Sequence, residues 1–244
     1  MAKKGTATHL VVVLDRSGSM GDIRDATIEG MNSFLREQKE APGKLTCTIQ
    51  LFDTVDLVYP AKNLPISEVL PFTRETYVPR GGTPLYDAVG KEIAATEEYT
   101  RGKDVAVLFV VMTDGQENSS HTFTRQQLFD LVNRKQAEDS WRFVFLGANQ
   151  DAYAEGAKQG YSAGYTSNFT ASPAGVRAAF LSVGANMTSY RSVVEDFGAV
   201  GAAAATPDFF TQAAPRPDTL EIKEENLKDL IAAEKKRKSV KFRG

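Results

Sequence analysis

The chain has 244 residues, 42% apolar and 25% charged, and its 29 Lys and Arg against 31 Asp and Glu leave a net charge of −2. That length holds one large core and a small appendage, and the near-neutral balance gives no electrostatic case for nucleic acid or a membrane surface. Its one cysteine, Cys47, excludes an internal disulfide and, placed in an alternating apolar stretch, reads as a core thiol.

Residues 1–7 read as a flexible leader, and no targeting segment is expected, because MAKKGTATHL carries lysines but no apolar core before a cleavage site. The run Leu10–Leu14 is too short for a helix and rich in valine, so His9 to Leu14 is predicted as a strand buried on both faces. A polar turn, Asp15-Arg16-Ser17-Gly18-Ser19, leads into a helix from Ile23 to about Lys39, with Ile23, Ala26, Thr27, Met31, Phe34 and Leu35 on one stripe. Ala41-Pro42-Gly43 ends it. Leu45 to Phe52 alternates as a half-buried strand, and Val55–Tyr59 is expected as a short antiparallel partner. Residues 60–82 read as mostly loop, with a helical turn near Ile66–Leu70. Arg80-Gly81-Gly82-Thr83-Pro84 then opens a helix from Leu85 to about Glu98.

Val105–Met112, the longest apolar run, is a second buried strand and far too short to span a bilayer. Thr113-Asp114-Gly115 follows it, then an amphipathic helix from Thr124 to about Ala137 and a strand, Trp141–Leu146. A short helix over Asp151–Gln159, an edge strand at Gly164–Phe169 and a longer helix from Pro173 complete the pattern. Strands alternating with helices predict a doubly wound, Rossmann-like three-layer α/β/α sandwich, mainly parallel with one short antiparallel edge strand.

Three turns on the same sheet edge carry oxygen side chains. Asp15, Ser17 and Ser19 stand on alternate positions of one strand-to-helix loop, Thr83 precedes a helix, and Asp114 ends a buried strand. Ligand sites of open α/β sheets form at this edge. Two carboxylates and three hydroxyls are hard donors suited to Mg²⁺, Mn²⁺ or Ca²⁺.

This ordered set resembles the von Willebrand factor type A (VWA) domain of the bacterial cytosolic type, whose metal-ion-dependent adhesion site has the pattern DxSxS…T…D. The resemblance spans Thr8 to about Glu195. It implies a domain at residues 8–195, in which Ser17, Ser19 and Thr83 bind the ion directly or through water. Asp15 and Asp114 would supply most of the charge and orient the serines. It also implies that a partner protein offers an Asp or Glu to the ion, a role in binding rather than catalysis. A cytoplasmic location is expected.

Two other readings stand beside it. A Mg-dependent hydrolase is disfavoured: position 17 is Ser where an aspartyl-phosphate mechanism wants a second Asp, and neither HExxH, GxGxxG nor a Walker A pattern occurs. An assembly role would instead use the end of the chain. There an Ala/Pro-rich linker is expected at 196–217 and a charged helix or tail at 218–244. That tail carries a capping box from Asp218 to Glu221, an apolar stripe of Leu220, Leu227, Leu230 and Ile231, and a terminal basic run. Near the metal loop, Arg16 reads as a solvated loop arginine, Glu117 as a loop acid, His121 as an exposed histidine, and Asp53 and Asp56 as turn formers. Trp141 reads as core.

Overall fold

A computed structural model describes residues 6–138, 140–148, 152–206 and 208–210. Its strands are β1 (Ala7–Asp15), β2 (Leu45–Phe52), β3 (Leu57–Pro65), β4 (Val105–Thr113), β5 (Trp141–Ala148) and β6 (Thr166–Phe169). The helices are α1 (Arg24–Glu40), α2 (Leu85–Thr100), α3 (Arg125–Gln136), α4 (Ala152–Lys158) and α5 (Pro173–Ala205). The strands form one sheet in the order β3-β2-β1-β4-β5-β6, parallel throughout except for β2 with β3.

The apolar runs explain the layering. Leu10, Val12 and Leu14 of β1 and Leu108, Val110 and Met112 of β4 pack with α1 and α5 on one face. Val11, Val13, Val107, Phe109 and Val111 meet α2 and α3 on the other. A strand covered on both sides needs no polar alternation, which is why these two runs are continuous. The chain winds outward from β1 to β3, then resumes at β4 on the other side of β1, so the order reverses between β1 and β4. In open α/β sheets ligands bind at such a reversal, outside the carboxyl ends of the strands. The three-layer sandwich predicted from the sequence is the one observed.

Two expectations are corrected. The antiparallel edge strand is not short: it runs nine residues, Leu57–Pro65, through a stretch read as loop. Pro60, Lys62, Asn63 and Pro65 disguise it, yet an edge strand tolerates prolines because one side of its backbone has no ladder partner. Its register against β2 shifts twice, and Asn63 adopts φ 57°. The linker expected from residue 196 is also absent at its start. α5 continues through Ala205 with a break at Gly198 (φ 73°). Beyond the break Ala202 is fully buried, and Phe209 stacks on Tyr165 at 5.7 Å. Alanine-rich sequence reads as low complexity, but alanine is also the strongest helix former and permits close packing. The rest of the expected linker and the charged tail from 218 lie outside the described residues.

α1 and α5 are locked by one buried cation. The Arg191 guanidinium donates to Gln38 O and Gln38 Oε1 at 2.9 and 3.1 Å, and to the carbonyls of Ala41, Pro42 and Gly43 at 3.2, 2.8 and 3.0 Å. These acceptors lie at the carboxyl end of α1, where carbonyls lack helical partners and the helix dipole favours a cation. Arg191→Met should cost about 2–4 kcal/mol, read as a fall in melting temperature of roughly 5–15 °C. Arg191→Lys should recover less than half of it, because one ammonium cannot reach both groups of acceptors.

Candidate metal centre

Asp15 closes β1 and is fully buried. Its Oδ1 accepts the Ser17 N–H at 2.7 Å, and its Oδ2 accepts the Thr113 hydroxyl at 2.6 Å. Thr113 stands at the end of β4, and the parallel register that pairs Leu14 with Met112 brings the two strand ends together. The Tyr77 hydroxyl donates to the Asp15 carbonyl at 2.7 Å from the loop before α2. From Gly18 the chain turns into a 3₁₀ segment, Gly18–Ile23. This keeps the hydroxyls of Ser17 and Ser19 on one side, 3.1 Å apart. Ser19 donates to Asp114 Oδ1 at 2.6 Å.

Thr83 reaches the cluster from a third loop. Its N–H donates to Asn118 Oδ1 at 2.9 Å, and its carbonyl accepts the Asn118 N–H at 3.2 Å. The loop after β4 also supplies acceptors for the free N–H groups at the start of α2. Glu117 takes Tyr86 N–H at 2.9 Å and Ser120 Oγ takes Asp87 N–H at 3.0 Å, so the two loops are braced together. Glu117 also accepts from Ser119 N, Ser120 N and Ser120 Oγ. It is a brace, more than the plain loop acid expected.

The centre of the arrangement is marked by Gly115. A β-carbon built there would lie 3.2 Å from Thr83 Oγ1, 3.6 Å from Ser19 Oγ and 4.0 Å from Asp15 Oδ2. The structure thus brings all five predicted residues into one cluster around a small cradle left open by a missing side chain. Among the described residues no group of three His, Cys, Asp or Glu gathers in a way that could hold a metal. The cradle offers two carboxylates and three hydroxyls instead, a set that fits a hard divalent cation and not a soft one.

Burial pushes the Asp15 carboxyl up to about 6, and the nearby Asp114 charge adds to this, against the hydrogen bonds from Thr113 and Ser17. Asp114 is also raised by burial, opposed by the Ser19 hydroxyl. The Asp114 charge disfavours the ionised form of Asp15, and the Asp22 charge acts in the same direction on Asp114. A divalent cation would remove that conflict.

Arg16 does not match its solvated reading. Its side chain is 5% exposed and turns away from the cradle onto Asp53 and Asp56. Asp53 is a turn former as expected, its Oδ1 accepting the N–H groups of Val55 and Asp56 at 2.6 and 2.9 Å, but its other oxygen holds two arginines. His121 is exposed and Trp141 is buried, both as expected. Sequence reasoning named Thr113 only as a strand-end group and did not single out Tyr77, Asn118 or Gly115. The β1–β4 register could have found Thr113, because residues ending adjacent parallel strands are neighbours.

No family model matches the sequence, and no curated protein matches it. Solved structures do. SpaC, a pilus adhesin from Lactobacillus rhamnosus GG, is similar with a TM-score of 0.58 and 13% identity over 77% of this chain and 31% of its own. Proximal thread matrix protein 1 from the mussel byssus, in a structure with a zinc-occupied MIDAS motif, gives 0.53 and 16% identity over 75% of this chain and 46% of its own. The SpRpn10 VWA domain gives 0.51 and 11% identity over 72% of this chain and 94% of its own. The chain therefore spans less than half of the first two proteins and nearly all of the third. At such identities the likeness is one of architecture: the chain has the fold of a von Willebrand factor type A domain.

Proposed function

We propose that this chain is a divalent-metal-dependent protein-binding module that captures an Asp or Glu of a partner protein. The observation that carries the reading is the convergence of Asp15 Oδ2, Ser19 Oγ and Thr83 Oγ1 on the point left open at Gly115, with Asp114 bonded to Ser19. Ser17, Ser19 and Thr83 would face the ion. Asp15 and Asp114 would balance its charge and hold the serines in place. A bound Mg²⁺, Mn²⁺ or Ca²⁺ supplies positive charge and a coordination position for an outside carboxylate. The zinc-occupied MIDAS motif of the mussel protein supports a metal at this edge of the fold. Binding rather than catalysis is supported by Asp15, whose two oxygens are engaged by Ser17 and Thr113 in a fully buried position that suits holding and not attack.

Removing the Asp15 carboxylate with alanine would strand two buried donors, each costing about 1–3 kcal/mol. Asp15→Asn keeps an acceptor for Ser17 and is the cleaner variant. Metal-free, the raised Asp15 value means that its contribution to stability is fully present below pH 3.8 and is lost as pH rises through about 6. By pH 7 this loss is on the order of 3 kcal/mol. In chelator at pH 7, Asp15→Asn should therefore melt above the wild type, and the difference should vanish near pH 4. Equal melting of the two proteins at pH 7 would contradict the electrostatic account.

Adding a divalent cation at ~100-fold over its dissociation constant should stabilise the wild type by roughly 2.7 kcal/mol, about 5–10 °C. Asp15→Asn should lose this shift. Gly115→Ala should lose it too, because its methyl enters the cradle while every oxygen donor remains. A metal-induced shift that survives in Gly115→Ala would place the ion elsewhere. Partner capture should need both metal and an acidic residue of the partner, and should fail in the Ala variant.

A further inference from the structure

We propose that the cluster of Arg16, Asp53, Arg80 and Asp56 is the positioning device of the metal site, fixing Thr83 at its distance from Ser17 and Ser19 and so setting the affinity for the cation. The inference rests on the metal reading above and adds to it residues that touch no metal.

The placement of the charges is the first argument. Arg16 lies between Asp15 and Ser17 in the first loop, and Arg80 lies three residues before Thr83 in the second. Both acids belong to a third loop, between β2 and β3, that contributes nothing to the cradle. Asp53 Oδ2 accepts Arg16 Nε at 2.9 Å and Arg80 Nε at 3.1 Å. Asp56 Oδ1 accepts a second nitrogen from each, with Arg80 at 2.9 Å. Each arginine therefore reaches both acids through two nitrogens, which fixes its direction as well as its distance.

Backbone bonds follow the same path. Arg80 N–H donates to Arg16 O at 2.8 Å and Gly18 N–H to Gly81 O at 3.0 Å. Gly82 N–H donates to Thr54 Oγ1 at 3.0 Å. Gly81 holds φ +67° with its β-carbon position 2.4 Å from Thr54 Oγ1, so the loop passes too close for any side chain there. Thr83 is thus held between this cluster on one side and Asn118 on the other.

Energetics give the second argument. Asp53 has no exposed side-chain surface and Arg16 only 5%, whereas Arg80 and Asp56 are 41% and 48% exposed. Buried ion pairs add little net stability compared with apolar packing of the same shape, because desolvation offsets attraction. What they supply here is direction. The cluster is also neutral, two positive and two negative charges, so it places no net charge beside a cation.

The test uses the full chain and Mn²⁺ as the probe, with binding read by electron paramagnetic resonance and melting read in chelator. The principal variant is the double substitution Arg80→Gln with Asp56→Asn. It keeps the net charge, changes the half-exposed members and leaves the Arg16–Asp53 pair. The expected result is a Mn²⁺ dissociation constant raised about tenfold, with a chelator melting temperature within about 3 °C of the wild type. Arg80→Lys keeps the charge but loses the planar fork, and should bind Mn²⁺ at least threefold more weakly than the wild type. Mn²⁺ affinity of the double variant within twofold of the wild type overturns the inference while leaving the metal reading intact. No Mn²⁺ binding by the wild type overturns the metal reading, and this inference with it.

Discussion

A carboxylate without solvent at the end of a parallel strand is the constraint around which this molecule is arranged. Asp15 is placed by β1, and β1 is central because both its faces are covered. The nearest relief for its charge comes from the adjacent chain ends: the N–H of Ser17 on its own turn and the hydroxyl of Thr113 from β4. Those bonds hold the serine-bearing turn against the strand end. They do not neutralise Asp15, which is raised by burial and by the nearby Asp114 carboxylate. The fold keeps an electrostatic conflict at this edge of the sheet and surrounds it with loops hydrogen-bonded to one another, an arrangement that a cation from outside would relieve.

The sheet was legible in the sequence because its central strands are continuous apolar runs with polar turns behind them. The five clustered residues were legible for a related reason: Asp15 ends β1 and the other four stand within four residues of a strand or helix end, where position on the sheet edge follows from order along the chain. Arg16 was not legible. Its partners lie 37 and 40 residues away, across a hairpin whose second strand is disguised by prolines. A charged residue flanked by candidate metal-site residues looks solvated unless the loop carrying the opposite charges can be placed beside it. Tyr77 escaped for the same reason, since it lies in an aperiodic loop yet is fully buried and bonded to Asp15 O. The end of α5 was misread because alanine-rich composition is ambiguous between a linker and a tightly packed helix.

The likeness to solved domains and the local chemistry are separate arguments that converge. At 11–16% identity the three solved domains described above share architecture with this chain and little else. The cradle at Gly115 is a property of this chain's own loops. Three loops from three parts of the sequence meet there, with oxygens of two of them 3.2–4.0 Å from the β-carbon position of Gly115 on the third, and those two are pinned to each other by backbone bonds and by arginines.

The disguised edge strand has a consequence for how the molecule meets others of its kind. Sheet edges invite strand addition, because their unpaired N–H and carbonyl groups template another chain. Along β3, Pro60 and Pro65 delete two donors, Asn63 turns the backbone out of the strand conformation, and the register slips twice. The opposite edge, β6, is four residues long. Among the described residues one rim is interrupted and the other is short, so both are poor templates for sheet extension.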